Sequence, residues 1–543
     1  MRKLAIPAVL ALSLVSLLSC RTLTPEAGIG SLDRARVELL SNGKAKYVEV
    51  YGFNDFHGTL AEDLAVSADP ALQGKNPGVA KFAEIAREIR KTNPNSVFVS
   101  AGDSYQGSAL SVMTKGKVVS EAFREIGVSA SAVGNHEFDW GDGNFRDWSA
   151  DGGFPFLAAN LVEKATGKTP SWAAPYVVLS VGGHRLALLG LVTRETLSTV
   201  KKENVAAYDF LDAADSARLW IERIRRLEKP EAIIAVSHIP ATWDRIDAGR
   251  AVGLLPSSEI DRLAEVPGLD AIVTGHSHQS VNGKANGVPV VQAYYNGRSL
   301  AKLAFTFRED NGFSLSSSLV EIYRNKATIR EDAAVRAIYD RYMNQYATVL
   351  LEKVATVEGD LSHESGRNVT PMGLWVCETL RNRFGTDVAV MNGGGLRKGF
   401  APGTATIQDF WDLMPFDNTA VTFKVSGAVL RKIIDHGIDS MAMGNGQFSG
   451  LVVRYDPGKP YENKILSMTL ADGTPVRDDG QYSVVTNDFI FLTGGDGYVM
   501  MPSADRSAYV ETFVPIRDVL IESARKAGKI AAEPVAVLKS AKE

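Results

Sequence analysis

The chain carries five short polar clusters; four of them hold five of its eight histidines and three hold aspartate or asparagine, a combination that suits metal-assisted hydrolysis. The clusters read Asn54-Asp55-Phe56-His57-Gly58, Ala101-Gly102-Asp103, Gly134-Asn135-His136-Glu137-Phe138-Asp139, Ser237-His238 and Gly275-His276-Ser277-His278. Aspartate oxygen and neutral imidazole nitrogen together favour divalent ions such as Zn²⁺, Mn²⁺, Co²⁺ or Fe²⁺. The donors are Asp55, His57, Asp103, Asn135, His238, His276 and His278. That set is too large for one ion and suits two ions sharing a bridge. Each cluster alone could be a helix cap or a turn. Five in one chain, each closing an apolar run, point to a common site.

Something must bring these distant clusters together. The apolar runs at 48–53, 96–100, 186–192, 232–236 and 271–273 have the length and composition of buried strands. Between them, Val79, Phe82, Ile85, Ala86 and Ile89 recur at helical spacing, as do Leu219, Trp220, Ile224 and Leu227. Strands alternating with helices predict an α/β layered fold. In such folds, sites form at strand ends where several loops converge. Asp-x-His and His-x-His can turn two donors to one side only where the extended run breaks, and Gly58 and Gly275 permit that break. A further helix is expected over 331–351, with Val335, Ile338, Tyr339, Tyr342, Tyr346 and Val349 on one stripe. It reads as the joint to a second domain starting near Lys353.

The chain has 543 residues, which predicts two or three domains. Apolar residues make up 45% and charged residues 22%, a soluble globular balance. A net charge of −4 gives no electrostatic reason to bind a nucleic-acid polymer. A small polyanionic substrate would need local positive charge, which metal ions can supply. Arg2 and Lys3 precede an apolar run over 4–18, the pattern of a secretory signal. Leu17-Leu18-Ser19-Cys20 resembles a bacterial lipobox, which makes Cys20 the expected lipidation site and a lipid anchor to the membrane the expected attachment. Cys377, the other cysteine, lies in an apolar stretch and reads as a buried, inert thiol.

The order Asp-x-His, Gly-Asp, Gly-Asn-His-Glu-x-Asp, His, Gly-His-x-His resembles the calcineurin-like metallophosphoesterases. The wording of 54–58 and 134–139 is similar to the 5′-nucleotidase and UDP-sugar hydrolase branch. The likeness continues in Asn392-Gly393-Gly394-Gly395-Leu396-Arg397, Pro415-Phe416-Asp417-Asn418 and Gly494-Gly495-Asp496-Gly497-Tyr498. With residues 1–19 read as a signal peptide and 20–45 as a tether, the resemblance implies a four-layer α/β-β/α metallophosphoesterase domain over 46–325. A linker helix over 326–352 and a C-terminal α/β substrate domain over 353–543 follow. It places one metal on Asp55, His57 and His278, the other on Asn135, His238 and His276, and Asp103 between them. A metal-bound hydroxide would then attack phosphorus. His136 would stabilise the transition state or protonate the leaving group, oriented by Asp139.

In the second domain, the resemblance brings Asn392 and Arg397 to the substrate, aims Asp496 at sugar hydroxyls and stacks the base between Phe448 and Phe489. Phe448 lies in a shortened segment, and Phe489 is one residue further from the Gly-Gly-Asp-Gly turn than in the family. Asn368 stands where the family has an arginine, with Arg367 beside it. The expected function is that of an exported phosphoesterase, lipid-anchored to the bacterial envelope. It would act on 5′-nucleotides, with UDP-sugars or cyclic nucleotides as further substrates. The alternatives are a related two-metal hydrolase of a sugar phosphate or sulfur ester, and a non-catalytic, lipid-anchored solute-binding protein.

Overall fold

The computed structural model describes residues 38–63, 75–241, 258–364, 366–440, 445–501, 509–531 and 537–541. The expected signal and Cys20 lie outside the described residues.

The first half is two sheets stacked face to face. One has seven strands in the order Phe313–Val320, Leu300–Phe307, Tyr47–Phe53, Ser96–Ser100, Val128–Ala132, Phe156–Leu157 and Ala173–Ala174. The other has six, in the order Ser280–Ala285, Val288–Ala293, Ala271–Thr274, Ala232–His238, His184–Val192 and Tyr176–Val181. Tyr47–Phe53, Ser96–Ser100 and Val128–Ala132 run parallel, as do His184–Val192, Ala232–His238 and Ala271–Thr274. Both faces of these strands are covered, which is why they read as unbroken apolar runs. Val48, Val50, Val97, Val99, Leu188, Ile234 and Val236 share the core between the sheets. The sheets approach so closely at Gly52 that a Cβ there would lie 2.2 Å from Val273 Cγ1.

Helices cover the two outer faces. Val79–Thr92 and Lys117–Ile126 pack on the first sheet and Ala213–Leu227 and Glu259–Ala264 on the second. This is the expected four-layer arrangement. One expected stripe differs in detail. Leu219 and Leu227 point outward, and the buried stripe of Ala213–Leu227 is Ala213, Ala214, Ala217, Ile221 and Ile224. Close packing on the sheet is made by alanines, which carry little hydrophobic signal in a sequence.

Helix Ala333–Leu350 starts on Asp332, whose side chain accepts the Ala334 and Val335 N–H groups. Val335 and Tyr342 are buried in the first-half core, whereas Val349 is 47% exposed. The second half is built on a five-stranded sheet ordered Gly446–Ser449, Val388–Asn392, Gln481–Asn487, Thr419–Ser426 and Val510–Pro515. Helix Pro371–Phe384 opens on a Thr370 cap with proline in its first turn, an arrangement that leaves few end groups unpaired. Cys377 on this helix is fully buried, and burial pushes its thiol pKa upward. Among the described residues, no helix is long and apolar enough to cross a membrane.

Candidate metal centre

The strand-end loops do converge. The loop after Tyr47–Phe53 is pinned to the loop after Ser96–Ser100 by three backbone bonds: Asp55 N–H to Gly102 O, His57 N–H to Asp103 O and Gly58 N–H to Ser104 O. The donors themselves make the chain break. Asp55, His57, Asp103, His276 and His278 all have positive φ, between 48° and 77°, a region disfavoured for residues with a Cβ. Gly58 shares that conformation at φ 55°, but Gly275 does not. Gly275 serves instead for close approach: a Cβ there would lie 3.0 Å from Asp55 Oδ2 and from His238 Nδ1.

Two groups of ligand atoms result: Asp55 with His57 and His278, and Asp103 with His238 and His276. In the first, His278 Nε2 lies 3.0 Å from His57 Nε2 and 3.2 Å from Asp55 Oδ1. In the second, His238 Nε2 lies 3.1 Å from Asp103 Oδ2 and 3.3 Å from His276 Nδ1. Asn135 Oδ1 joins the second group at 2.9 Å from His276 Nδ1. Asp55 Oδ1 is 3.8 Å from His238 Nε2, so the groups adjoin.

The ring contacts test whether this set fits cations. His57 Nδ1 meets the Gln106 carbonyl at 2.8 Å, and His238 Nδ1 meets the Ala101 carbonyl at 2.7 Å. A carbonyl only accepts, so both Nδ1 atoms carry the proton and both Nε2 lone pairs point inward. His276 is the mirror case: Nε2 donates to Glu195 Oε2 at 2.9 Å, which leaves Nδ1 facing inward. Inward lone pairs and carboxylate oxygens 3.0–3.3 Å apart repel unless positive charge lies between them, so the site fits divalent ions. The electrostatics agree. Burial holds His57 and His278 below the usual histidine range, as neutral imidazoles able to accept a cation. Burial opposes charge on His238, yet Asp103 and Asp55 pull its pKa up to about 10: without an ion a proton on Nε2 answers the carboxylates, and a divalent ion would take the place of that proton.

His136 stands beside this centre on the short turn His136–Phe138. Its ring is 5.3 Å from that of His57, and its Nδ1 is 2.8 Å from Asp139 Oδ2. Its backbone N–H donates to Asp103 Oδ1 at 2.9 Å. Burial acts against charge on His136, but Asp139 and Asp103 outweigh it and raise its pKa to about 9.

The second half reaches the same place. Phe416 lies 5.3 Å from the His136 ring, and the Arg397 guanidinium lies 5.6 Å from the Phe416 ring. Desolvation lowers the Arg397 pKa, while Tyr295, Asp55, Asp103 and Asp496 act to raise it. Asn392 donates from Nδ2 to Asp496 Oδ2 at 2.5 Å and accepts from Asn487 at 2.9 Å. Asp496 sits in the Gly495–Gly497 turn at φ 53°, and His436 Nε2 donates to its carbonyl. Phe489 is half-buried over the same turn, its ring atoms 2.2 Å from where a Gly495 Cβ would be.

Two of the expected substrate residues are placed differently. Phe448 is fully buried, on the strand Gly446–Ser449, with its ring filling the space over Gly446 and Gly437. It belongs to the core of the second half and presents no free face for stacking. Arg367 is exposed, and its carbonyl accepts from Gln447 Nε2. Neighbouring Asn368 braces the Gly437 and Gly446 carbonyls instead of facing the centre.

Other residues emerge only from the structure. Fully buried Glu137 accepts the N–H groups of Asp103 (2.9 Å), Ser104 (2.7 Å) and Gly134 (2.7 Å), clamping two ligand loops together. Burial and the Asp103 charge push its pKa up to about 7. Its place in Gly-Asn-His-Glu was the one signal. Phe416 was marked only by the resemblance of Pro415-Phe416-Asp417-Asn418, with no role attached, and Glu195, from a loop without metal-type spacing, gave no signal of its own.

The calcineurin-like phosphoesterase family model matches residues 49–280, and the model of the 5′-nucleotidase C-terminal domain matches residues 353–503. The endonuclease YhcR of Bacillus subtilis (strain 168) is 26% identical over 83% of this chain, which spans only 37% of the length of that protein. The 5′-nucleotidase of Rattus norvegicus is 28% identical over 86% of each chain. The crystal structure of a 5′-nucleotidase precursor from Thermus thermophilus has the same fold, with a TM-score of 0.75 at 23% identity over 92% of this chain and all of that one.

Proposed function

We propose that this chain, a calcineurin-like phosphoesterase with a 5′-nucleotidase C-terminal domain and hence a metal-dependent phosphoester hydrolase, removes phosphate from 5′-nucleotides. The observation that carries the reading is the pair of Asp/His groups with inward lone pairs, faced across the seam by Arg397, Asn392 and Asp496.

Asp55, His57 and His278 would hold one divalent ion. Asn135, His238 and His276 would hold the other, with Asp103 shared. Bound there, the two ions would supply Lewis acidity to the phosphoryl group and activate water. His136 presents its Nε2 to the leaving oxygen, because Nδ1 is committed to Asp139. In that position it hands over a proton as the ester bond breaks. Arg397 balances phosphate charge, and Asp496 accepts hydrogen bonds from the sugar hydroxyls. The interior position of Phe448 favours a second reading, in which the preferred ester is not a nucleotide but another small phosphate or sulfur ester. Export and lipid anchoring through Cys20 complete the proposal and rest on residues 2–20.

Phosphate release from a panel of 5′-nucleotides, UDP-glucose, cyclic nucleotides and sugar phosphates tests it, using protein loaded with Mn²⁺, Zn²⁺ or Co²⁺. Nucleotides should lead, and Asp103→Asn should remove the activity. Faster turnover of a base-free ester supports the second reading. Binding without turnover, unaffected by Asp103→Asn, would return the chain to the solute-binding class.

A further inference from the structure

His57, His238 and His276 each have a hydrogen-bond acceptor behind the ring. His278 does not. Its Nδ1 is buried and has no hydrogen-bond partner among the described residues. A metal-ligating imidazole is normally oriented by an acceptor on its far nitrogen. Something else must fix this ring.

The candidate is Tyr295, on the loop between strands Val288–Ala293 and Leu300–Phe307. Its ring stacks on His278 with 4.7 Å between centroids and 23° between planes. Tyr295 is itself clamped. The Arg298 guanidinium lies 3.9 Å from the centre of the Tyr295 ring and is held by Asn76 at 2.7 Å. The Tyr295 hydroxyl donates to Glu364, which comes from the second half of the chain, just ahead of helix Pro371–Phe384. Glu364 also faces Arg298 Nη1 at 3.5 Å. All three side chains are largely buried, so their contacts are little weakened by water.

We infer that Tyr295 is the positioning residue for the His278 imidazole, and that Glu364, through the Tyr295 hydroxyl, ties that position to docking of the second half on the first. If the halves part, Glu364 leaves, Tyr295 loses the one hydroxyl partner it has among the described residues, and the least secured of the four histidines gains rotational freedom. The other three imidazoles keep their acceptors, which all belong to the first half. The inference rests on the metal-site reading above.

Metal affinity tests it without recourse to turnover. Metal-free full-length protein is titrated with Zn²⁺ against a chromophoric chelator, and two binding steps are resolved. Tyr295→Leu, which removes the stack, should weaken one step by about ten- to a hundredfold and leave the other within about twofold. Tyr295→Phe keeps the stack and deletes the hydroxyl, and Glu364→Gln weakens the same link. Each should weaken that step by about three- to tenfold. A Tyr295→Leu protein that binds both ions like the parent overturns the inference. If Tyr295→Leu fails to fold by circular dichroism, the other two variants decide: no change in either step overturns it, and a change confined to one step supports it. Asp103→Asn separates the two readings. Loss of binding in Asp103→Asn beside silent Tyr295 and Glu364 variants defeats only the positioning role. Unchanged binding in all of them defeats the metal site as well.

Discussion

The two halves of the site are held in different ways. In the first half, His57, His136, His238 and His276 each lean on a carbonyl or carboxylate that has no other place in the site. In the second half, the side chains hold one another: Asn487 donates to Asn392, and Asn392 donates to Asp496. A ring fixed from behind keeps its inward lone pair whatever enters the site. A carboxylate already accepting from Asn392 would have to exchange or share that bond with a sugar hydroxyl bound as proposed. The first half is therefore preorganised for its chemistry, and the second is adaptable in what it binds.

If that contrast is right, the largest loss should follow from His136→Ala. The ligand groups remain intact, so metal content stays at the parent level while kcat falls by about 10²–10⁴. A drop of less than about tenfold would remove His136 from the chemistry and leave only its backbone bond to Asp103. Phe448→Ala should come next, in a different observable. A fully buried phenylalanine lost from a core costs about 3–5 kcal/mol of stability, read from urea unfolding. The KM of the folded fraction for nucleotides should stay near the parent value. A changed KM at unchanged stability would restore Phe448 as a base-stacking residue.

The same contrast explains what the sequence disclosed. Strand Ser96–Ser100 matches its apolar run end to end, because a strand covered on both faces leaves a continuous signal. The seven expected donors, which the structure brings to one place, stand out in the sequence because Asp, Asn and His at strand ends are the residue types a metal would demand. Residues that act through others are not. Glu137 works by accepting three N–H groups, a role open to any buried carboxylate of suitable reach. Tyr295 and Glu195 come from loops with no periodicity. Gly275 was legible as a break but acts as a gap between packed loops. Phe448 and Phe489 could not be told apart by spacing, since a ring in a core and a ring over a cleft read alike; only the burial of the former separates them.

Glu137→Gln tests the backbone clamp of the first half. One glutamine end becomes a donor, so either Ser104 or the Asp103–Gly134 pair loses its acceptor. The expected cost is about 1–3 kcal/mol of unfolding free energy in the metal-free protein. A variant as stable as the parent would mean that these loops are held by strand pairing alone.

The smallest effect, and the sharpest test of the second half, belongs to Phe489. Its ring is half-buried over Gly495, next to Asp496, and it is the half of the expected base clamp that still has a free edge. Stacking of one aromatic ring contributes about 1 kcal/mol, so Phe489→Ala should raise KM for 5′-nucleotides by roughly fivefold. Ribose 5-phosphate, which has a sugar and a phosphate but no base, should show no change. Loss of the ring could also let the Gly495–Gly497 turn relax and move Asp496. That would raise KM for both substrates alike, because the partner proposed for Asp496 is the sugar they share. Equal changes would therefore assign Phe489 to the support of Asp496 and leave the base without an aromatic partner in this chain, whereas a nucleotide-only change would place half of the specificity on a single ring.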